Sequence, residues 1–312
     1  MCRTIQTSSR MIVRADEEQI ARAAEMIRNG ELVAFPTETV YGLGANALNA
    51  DAVARIYAAK NRPFASPLIV HVDGEAMARA LTAAWPALAE TLARRFWPGP
   101  LTIVLKKAAI VPDVVTANLD SVGIRMPRHE VALKLIQQAG VPIAAPSANR
   151  FTEMSPTTAA HVFQSLGDSV DLILDGGPTQ VGIESTVVSL RRNPPVVLRP
   201  GMIGLHELEH VTGLHWGREV DKPHVVESPG QYPRHYAPRT KLYVLDEGIT
   251  PTQGRGRVID MPHDSVRYAA CLYAELHKAD AEGWDWIVVR KPPETSDWDG
   301  IRDRLKRASE DC

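Results

Sequence analysis

The stretch Phe35-Pro36-Thr37-Glu38-Thr39-Val40-Tyr41-Gly42-Leu43-Gly44, followed by Lys60-Asn61-Arg62-Pro63, decides how this chain is read. The apolar run 32–35 predicts a buried strand that stops at Pro36. Three hydroxyl side chains and one carboxylate then fall within the six residues 36–41. Gly42 and Gly44 follow, where backbone must turn sharply or approach a ligand. Asp51 is the expected N-cap of a helix ending at Lys60, and Arg62 stands two residues further on. Strand, polar turn, helix and paired cations form the layout of a site that holds an anion against hydroxyl groups.

Upstream, Ile20, Ala23, Ala24 and Ile27 recur at helical spacing over 17–29, with Gly30 as the expected C-terminal stop. Downstream, strands are expected at 68–72, 101–105, 122–126, 143–145, 172–174, 186–190 and 196–198. Helices are expected at 77–97 (interrupted at Trp85-Pro86), 130–138 and 157–166. Strands and helices alternate but not strictly, which predicts a mixed sheet. From 217 to 239 the texture changes to four prolines, two glycines and two histidines without a period. That segment reads as a linker. Beyond it, strands at 242–245, 257–259 and 286–289 and helices at 265–282 and 300–308 predict a small second α/β domain.

The chain has 312 residues, which is long for one ordinary core, so two domains are expected. A formal charge of −2 argues against a global field that recruits nucleic acid. Cys2, Cys271 and Cys312 are too far apart for a disulfide framework or a zinc site, which favours a reducing compartment. No signal-like run opens the chain, and no stretch approaches the ~20 apolar residues of a membrane span. The expectation is a soluble, cytoplasmic protein with no membrane partner.

Several residues carry chemistry in their own right. Lys60 and Arg62 are expected at an exposed helix end, where cations favour the dipole. A point charge beside a planar fork also suits phosphate oxygens. Thr37, Glu38 and Thr39 fit either a strand-end turn or a polar pocket wall. His71 lies between Val70 and Val72 and alone reads as a core or edge residue. Arg125 alternates with Ile124 and Met126, so it projects to the opposite strand face. There it is either an edge charge or a cation that needs a carboxylate. Ser147 and Asn149 follow a strand, Ser155 lies in the next loop, Ser185 precedes a strand, and Arg199 ends one. The chain has no phosphate-binding P-loop, no dinucleotide fingerprint, no Cys/His metal cluster and no nucleophile elbow.

The run FPTETVYGLGANA, the KNRP…PLIVHV block, GIRMP at 123–127, PSAN at 146–149 and STVV at 185–188 resemble, in order, the YrdC-type threonylcarbamoyl-AMP synthases. SPGQYPRHYAP at 228–238 resembles the linker of the two-domain members, and 268–308 resembles their C-terminal domain. Asn61 stands where a glycine is common between the paired cations, and Gln231-Tyr232-Pro233 where Met-Lys-Tyr is frequent. The resemblance implies a YrdC-like twisted mixed sheet with flanking helices over 10–205. It also implies a linker at 206–239 and a smaller α/β, Rossmann-like domain over 240–312.

The same resemblance implies the reaction of L-threonine, bicarbonate and ATP to threonylcarbamoyl-AMP, pyrophosphate and water, for modification of tRNA. Lys60 and Arg62 would be catalytic, on the phosphates. Ser121, Ser147, Asn149, Ser155, Arg199 and Tyr236 would join them at ATP. Thr37, His71, Arg125, Ala145 and Ser185 would bind L-threonine. Mg²⁺ is expected on the triphosphate, without protein metal ligands. Downstream threonylcarbamoyl-transfer proteins are the expected partners, and a weak tRNA contact stays open. The linker holds Tyr232, Arg234, His235 and Tyr236, a dense set for a spacer. It is therefore expected to close as a lid, with Arg234, His235 and Tyr236 near the ligands. Two alternatives stand beside this reading: an RNA-binding module, which the 6% aromatic content disfavours, and carbamoyl transfer to another acceptor.

Overall fold

The computed structural model describes residues 11–218 and 235–309. Its first unit begins with β1 (Ile12–Arg14) and α1 (Glu17–Arg28). The Asp16 side chain caps α1 by accepting from the Gln19 amide, and Gly30 leaves it with a φ of +84°. Strands β2 (Val33–Pro36) and β3 (Tyr41–Asn46) then pair antiparallel. Tyr41–Asn46 is thus a strand, not the sharp turn its glycines suggest. Gly44 is needed for packing: a Cβ there would lie 2.7 Å from a Phe35 ring carbon and 2.9 Å from Ile143. The helix α2 (Ala50–Lys60) is capped by Asn49, which accepts from the amides of Asp51 and Ala52, rather than by Asp51 itself. It ends at Asn61, whose φ is 51°. Asparagine tolerates that left-handed position better than most residues, which accounts for it where glycine is common.

The chain continues through β4 (Ile69–His71), α3 (Glu75–Ala80), α4 (Ala87–Phe96), β5 (Leu101–Lys106), β6 (Ser121–Arg125), α5 (Glu130–Ala139) and β7 (Ile143–Ala144). Then come α6 (Ala159–Leu166), β8 (Leu172–Asp175), β9 (Thr186–Ser189), β10 (Val196–Arg199), α7 (Leu205–Thr212) and β11 (Gly217–Arg218). All eleven strands form one sheet, ordered β1-β8-β2-β3-β7-β4-β6-β5-β9-β10-β11. Parallel and antiparallel pairs are mixed, as the uneven alternation predicted. Helices α1 and α5 bury Ile20, Ile27, Leu135 and Ile136 against Phe35 and Leu174 on one face. On the other, α2 and α6 bury Val53, Ile56 and Val162 against Leu43, Val70 and Ile173. Helices α4 and α7 cover the β5–β9 end through Leu92, Phe96 and Leu208.

The first part of the expected linker, 206–239, therefore carries α7 and β11, and β11 extends the large sheet beyond residue 205. Residues 219–234, and with them Arg234 and most of the expected lid, lie outside the described residues. The second unit contains β12 (Lys241–Leu245), β13 (Gly256–Ile259), α8 (Ser265–Ala281), β14 (Trp286–Arg290) and α9 (Asp299–Ala308). Its three strands are parallel in the order β12-β14-β13. Leu272, Leu276, Ile287 and Ile301 form its core, which also takes in Val40, Met154, Ile183 and Tyr236. No described helix is long and apolar enough to cross a membrane.

Candidate active site

A cleft of about 500 Å³, open mouth included, collects residues from the β2–β3 turn, from the ends of β4, β6, β7, β9 and β10, and from the segment that leads into the second unit. Its walls include Thr37, Arg62, His71, Arg125, Ala145, Ser147, Ser185, Arg199, His235 and Tyr236. Ser121 begins β6, Asn149 and Ser155 sit in the following loops, and none of these three is among the wall residues. Thr39, Gly42 and Glu184 are.

The β2–β3 turn forms one wall. Thr37 donates its hydroxyl to the Val40 carbonyl at 2.7 Å and accepts from the amides of Thr39 and Val40. Its first task is thus to hold this buried turn, which presents Thr39 beside it. Glu38 points into the protein and is fully buried. Its Oε2 lies 2.6 Å from a guanidinium nitrogen of Arg125, itself only 4% exposed. Neither carboxylate oxygen receives an aligned N–H, so charge rather than a directed hydrogen bond holds the pair. Arg125 Nε donates to the Gly99 carbonyl at 3.3 Å. The inward cation foreseen from strand alternation thus already has a carboxylate, and it is internal.

Lys60 and Arg62 are buried, at 1% and 6% exposure, which corrects the expectation of an exposed helix end. Tertiary packing of the 147–151 loop over α2 buries them. Lys60 donates to the carbonyls of Ser147 and Asn149. Burial, with Arg62 close by, pushes its ammonium well below the usual lysine range. Arg62 donates to the Ser66 hydroxyl and the Pro67 carbonyl, and its guanidinium lies 5.8 Å from the centre of the Phe151 ring. Arg199 donates to the Ser185 carbonyl and hydroxyl at 2.9 and 3.1 Å, and that hydroxyl also meets Thr102 at 2.8 Å.

His71 lies beside Arg125 across the β4–β6 register. Burial and the Arg125 charge depress its pKa to about 3, so it stays neutral, and its Nδ1 has no hydrogen-bond partner. His235 is more than nine-tenths buried, and its Nδ1 is likewise unpartnered. Burial first, then Arg62, Lys60, Arg199 and Arg304, hold its ring well below the usual histidine range. Its ring is 5.5 Å from Phe151, and its amide donates to the Arg307 carbonyl. Tyr236 has a φ of 64°, a costly conformation for a bulky side chain. That backbone turns its ring into the cleft wall, between Tyr273 and Arg304.

Three guanidinium groups and a neutral imidazole pair thus line a cleft that is otherwise hydroxyl, carbonyl and aliphatic. Such a lining suits a small molecule carrying a carboxylate at one end and phosphates at the other. Sequence reasoning missed Glu184, Arg304 and Tyr273. Glu184 accepts from Arg304 Nε at 2.6 Å across 120 residues of chain. Only a lone carboxylate inside the apolar-flanked Gly182-Ile183-Glu184-Ser185 hinted at a buried partner.

The family described as "Telomere recombination", Sua5_yciO_yrdC, matches residues 25–201, and "Threonylcarbamoyl-AMP synthase, C-terminal domain" matches residues 203–310. The chain is 50% identical to the Pyrococcus abyssi threonylcarbamoyl-AMP synthase, with 95% of each covered. It is 41% identical to the Bacillus subtilis protein of the same name, with 94% of each covered. The solved P. abyssi Sua5 complexed with L-threonine superposes with a TM-score of 0.86 and 41% identity, covering 96% of each chain.

Proposed function

Because the chain belongs to the two-domain Sua5/YrdC family of threonylcarbamoyl-AMP synthases, we infer that it makes threonylcarbamoyl-AMP from ATP and L-threonine in the cleft just described. The observation that carries this reading is the convergence of Arg62, Arg125 and Arg199 on one cleft, with hydroxyls between them. On this reading Arg125, with Thr37, His71, Ala145 and Ser185 around it, takes the threonine end. The amino-acid carboxylate shares or displaces the Glu38 contact. Arg62, Ser147, Arg199 and Tyr236 take the nucleotide end, with Lys60 behind the wall, where it holds the Ser147 and Asn149 carbonyls. Asn149 supports it through the carbonyl that Lys60 holds, and Ser155 through its hydrogen bond to Glu184. Ser121, at the far end of β6 from Arg125, is left as the outermost of the proposed nucleotide contacts.

Bicarbonate is the proposed third substrate. The threonine amine, held neutral, adds to bicarbonate or the CO2 derived from it, with loss of water. A carbamate oxygen then attacks the α-phosphorus, and pyrophosphate leaves. The protein needs no covalent intermediate, because alignment and charge neutralisation supply the rate. A neutral imidazole at His71 does not compete with Arg125 for the carboxylate. That His235 and Tyr236 line the cleft while contacting α9 supports the lid reading. Closure would keep water from a labile mixed anhydride.

Mg²⁺ is proposed to arrive with ATP, on the triphosphate, and among the described residues it finds no site of its own. Among the described residues, the one carboxylate in the wall, Glu184, is engaged by Arg304, and no cluster of three metal ligands occurs. We further propose a catalytic unit at 10–205, a connecting segment at 206–239 and a smaller unit at 240–312. The proposed setting is cytoplasmic, with downstream threonylcarbamoyl-transfer proteins consuming the product and at most a weak direct tRNA contact.

The test is direct. Pure protein is incubated with ATP, bicarbonate and labelled threonine, and the products are separated by chromatography. A labelled, AMP-containing product with matching pyrophosphate, lost when bicarbonate is removed, is expected. AMP formation that does not depend on threonine would refute the reading.

A further inference from the structure

The wall residue Glu184 belongs to the large unit, yet most of what holds its carboxylate comes from the smaller one. Arg304, on α9, is fully buried. Its Nε donates to Glu184 Oε2 at 2.6 Å, and a second nitrogen donates to the Glu184 carbonyl at 3.2 Å. Its remaining arm reaches the Pro200 carbonyl at 3.0 Å and the Asp303 carboxylate at 2.6 Å. The Tyr273 hydroxyl, on α8, lies 3.3 and 3.4 Å from the two Glu184 oxygens. From the large unit, among the described residues, only Ser155 approaches that carboxylate with a hydroxyl. The same guanidinium sits 5.2 Å from the centre of the Tyr236 ring. One arginine thus touches two wall residues of the cleft and the strand end that carries Arg199.

The backbone is built for this contact. A Cβ on Gly182 would come within 2.1 Å of the Ala269 carbonyl on α8, and one on Gly300 within 2.9 Å of Gly201. Glycine at both places lets α8 and α9 seat directly on either side of the 182–201 segment. An interface made this close is a rigid mount, unlike a connection between domains that move freely.

We propose that Arg304 is a positioning residue for the reaction, through which the smaller unit completes the active site by holding Glu184 and Tyr236 in place. The inference rests on the cleft being the reaction site. The physical reason is charge. A buried carboxylate that loses its main cation either takes up a proton or turns toward the next cation. Here the next cation is Arg199, which is proposed to face phosphate. Burial pushes the Glu184 carboxyl up, but Arg304, Arg199 and the Ser155 hydroxyl outweigh it, so it remains below the usual range. The groups that face it are Arg304 from α9, which also holds Asp303, Tyr273 from α8, Arg199 from β10, Ser155 and Tyr236. Without Arg304 its largest lowering influence is gone, and the carboxyl protonates at higher pH.

The experiment compares the full-length wild type with Arg304→Lys, Arg304→Met and the double variant Glu184→Gln/Arg304→Met. Pyrophosphate release is followed with ATP, threonine and bicarbonate between about pH 5 and 9. Arg304→Met is expected to lose roughly tenfold to a hundredfold in kcat, the cost of misplaced binding groups, with a smaller change in either KM. Its acid limb is expected to move to higher pH, and the double variant to lose that displaced limb and recover part of kcat. Arg304→Lys keeps the charge but not the several simultaneous contacts. It is expected to fold and to lose kcat several-fold. Wild-type kcat and pH profile in Arg304→Lys or a folded Arg304→Met would overturn the proposal. So would equal losses in the single and double variants with no movement of the acid limb, which is what a purely structural role produces. Failure of the wild type itself to release pyrophosphate would instead sink the assigned reaction.

Discussion

Replacing Arg125 by methionine is the most informative perturbation of the cleft, because it tests a substrate contact and a buried ion pair together. The guanidinium and the Glu38 carboxylate lie 2.6 Å apart with almost no exposure. At an effective dielectric of about 20 their gross attraction is on the order of 6 kcal/mol. Desolvation of both groups offsets much of that, but Arg125→Met removes one partner and leaves the other charge buried. Such a break costs about 3–5 kcal/mol. For a unit of this size each kcal/mol moves Tm by roughly 2–4 °C, so a fall of roughly 6–20 °C is expected. The double variant Glu38→Gln/Arg125→Met buries no unpaired charge and should recover most of the loss. Calorimetric scans of wild type, single and double variants decide this, each run with and without threonine. Bound threonine should raise the wild-type Tm and leave both variants unmoved. Destabilisation below about 1 kcal/mol, or a double variant no better than the single, would refute the ion-pair argument. Native threonine affinity in Arg125→Met would remove Arg125 from the substrate site.

Other outcomes follow from the same geometry. Lys60→Ala leaves the Ser147 and Asn149 carbonyls without their donor, at about 1–3 kcal/mol each. Urea unfolding should therefore show lost stability as well as lost turnover, whereas loss of turnover alone would restore the exposed-cation reading. Tyr236→Gly relieves a strained φ of 64° but removes the ring from the cleft wall. Losing a buried core ring costs about 3–5 kcal/mol against about 1–3 kcal/mol of relieved strain, so stability should fall together with kcat, and a kcat equal to wild type would exclude the ring from function. Burial holds His161 at about 4 and His71 at about 3 in the folded chain, against about 6.5 unfolded. The unfolded chain then binds more protons between those values, so stability should fall as pH drops from about 6.5 toward 4. The stacked pair His161–His277, 4.0 Å apart, should contribute part of that slope. Scans of His161→Asn across this range should show a shallower decline, and an unchanged slope would assign it to other groups.

Much of the architecture could be read before any coordinates, and its gaps have identifiable causes. The helix 17–29 was readable because Ile20, Ala23, Ala24 and Ile27 repeat on one face and Gly30 stops it locally. The strand at Tyr41–Asn46 escaped because Gly42 and Gly44 lower strand propensity, while their use, letting Phe35 and Ile143 pack closely, depends on residues far away. The same holds for α7, whose Leu208 finds its place only against α4.

The sequence by itself determined which chemical groups are present and on which elements they ride: apolar runs set the strands, periodicity the helices, and short motifs the hydroxyls and cations. Those are local properties, written within a few residues of one another. Only the tertiary structure decided which charges are buried and which groups meet. Lys60 became a buried donor, Arg125 met Glu38, and Arg304 reached Glu184 across 120 residues. The physical reason is that a charge is tolerated out of water only when its partner arrives from elsewhere in the fold. No spacing along the chain encodes that arrival; packing within and between the two units does.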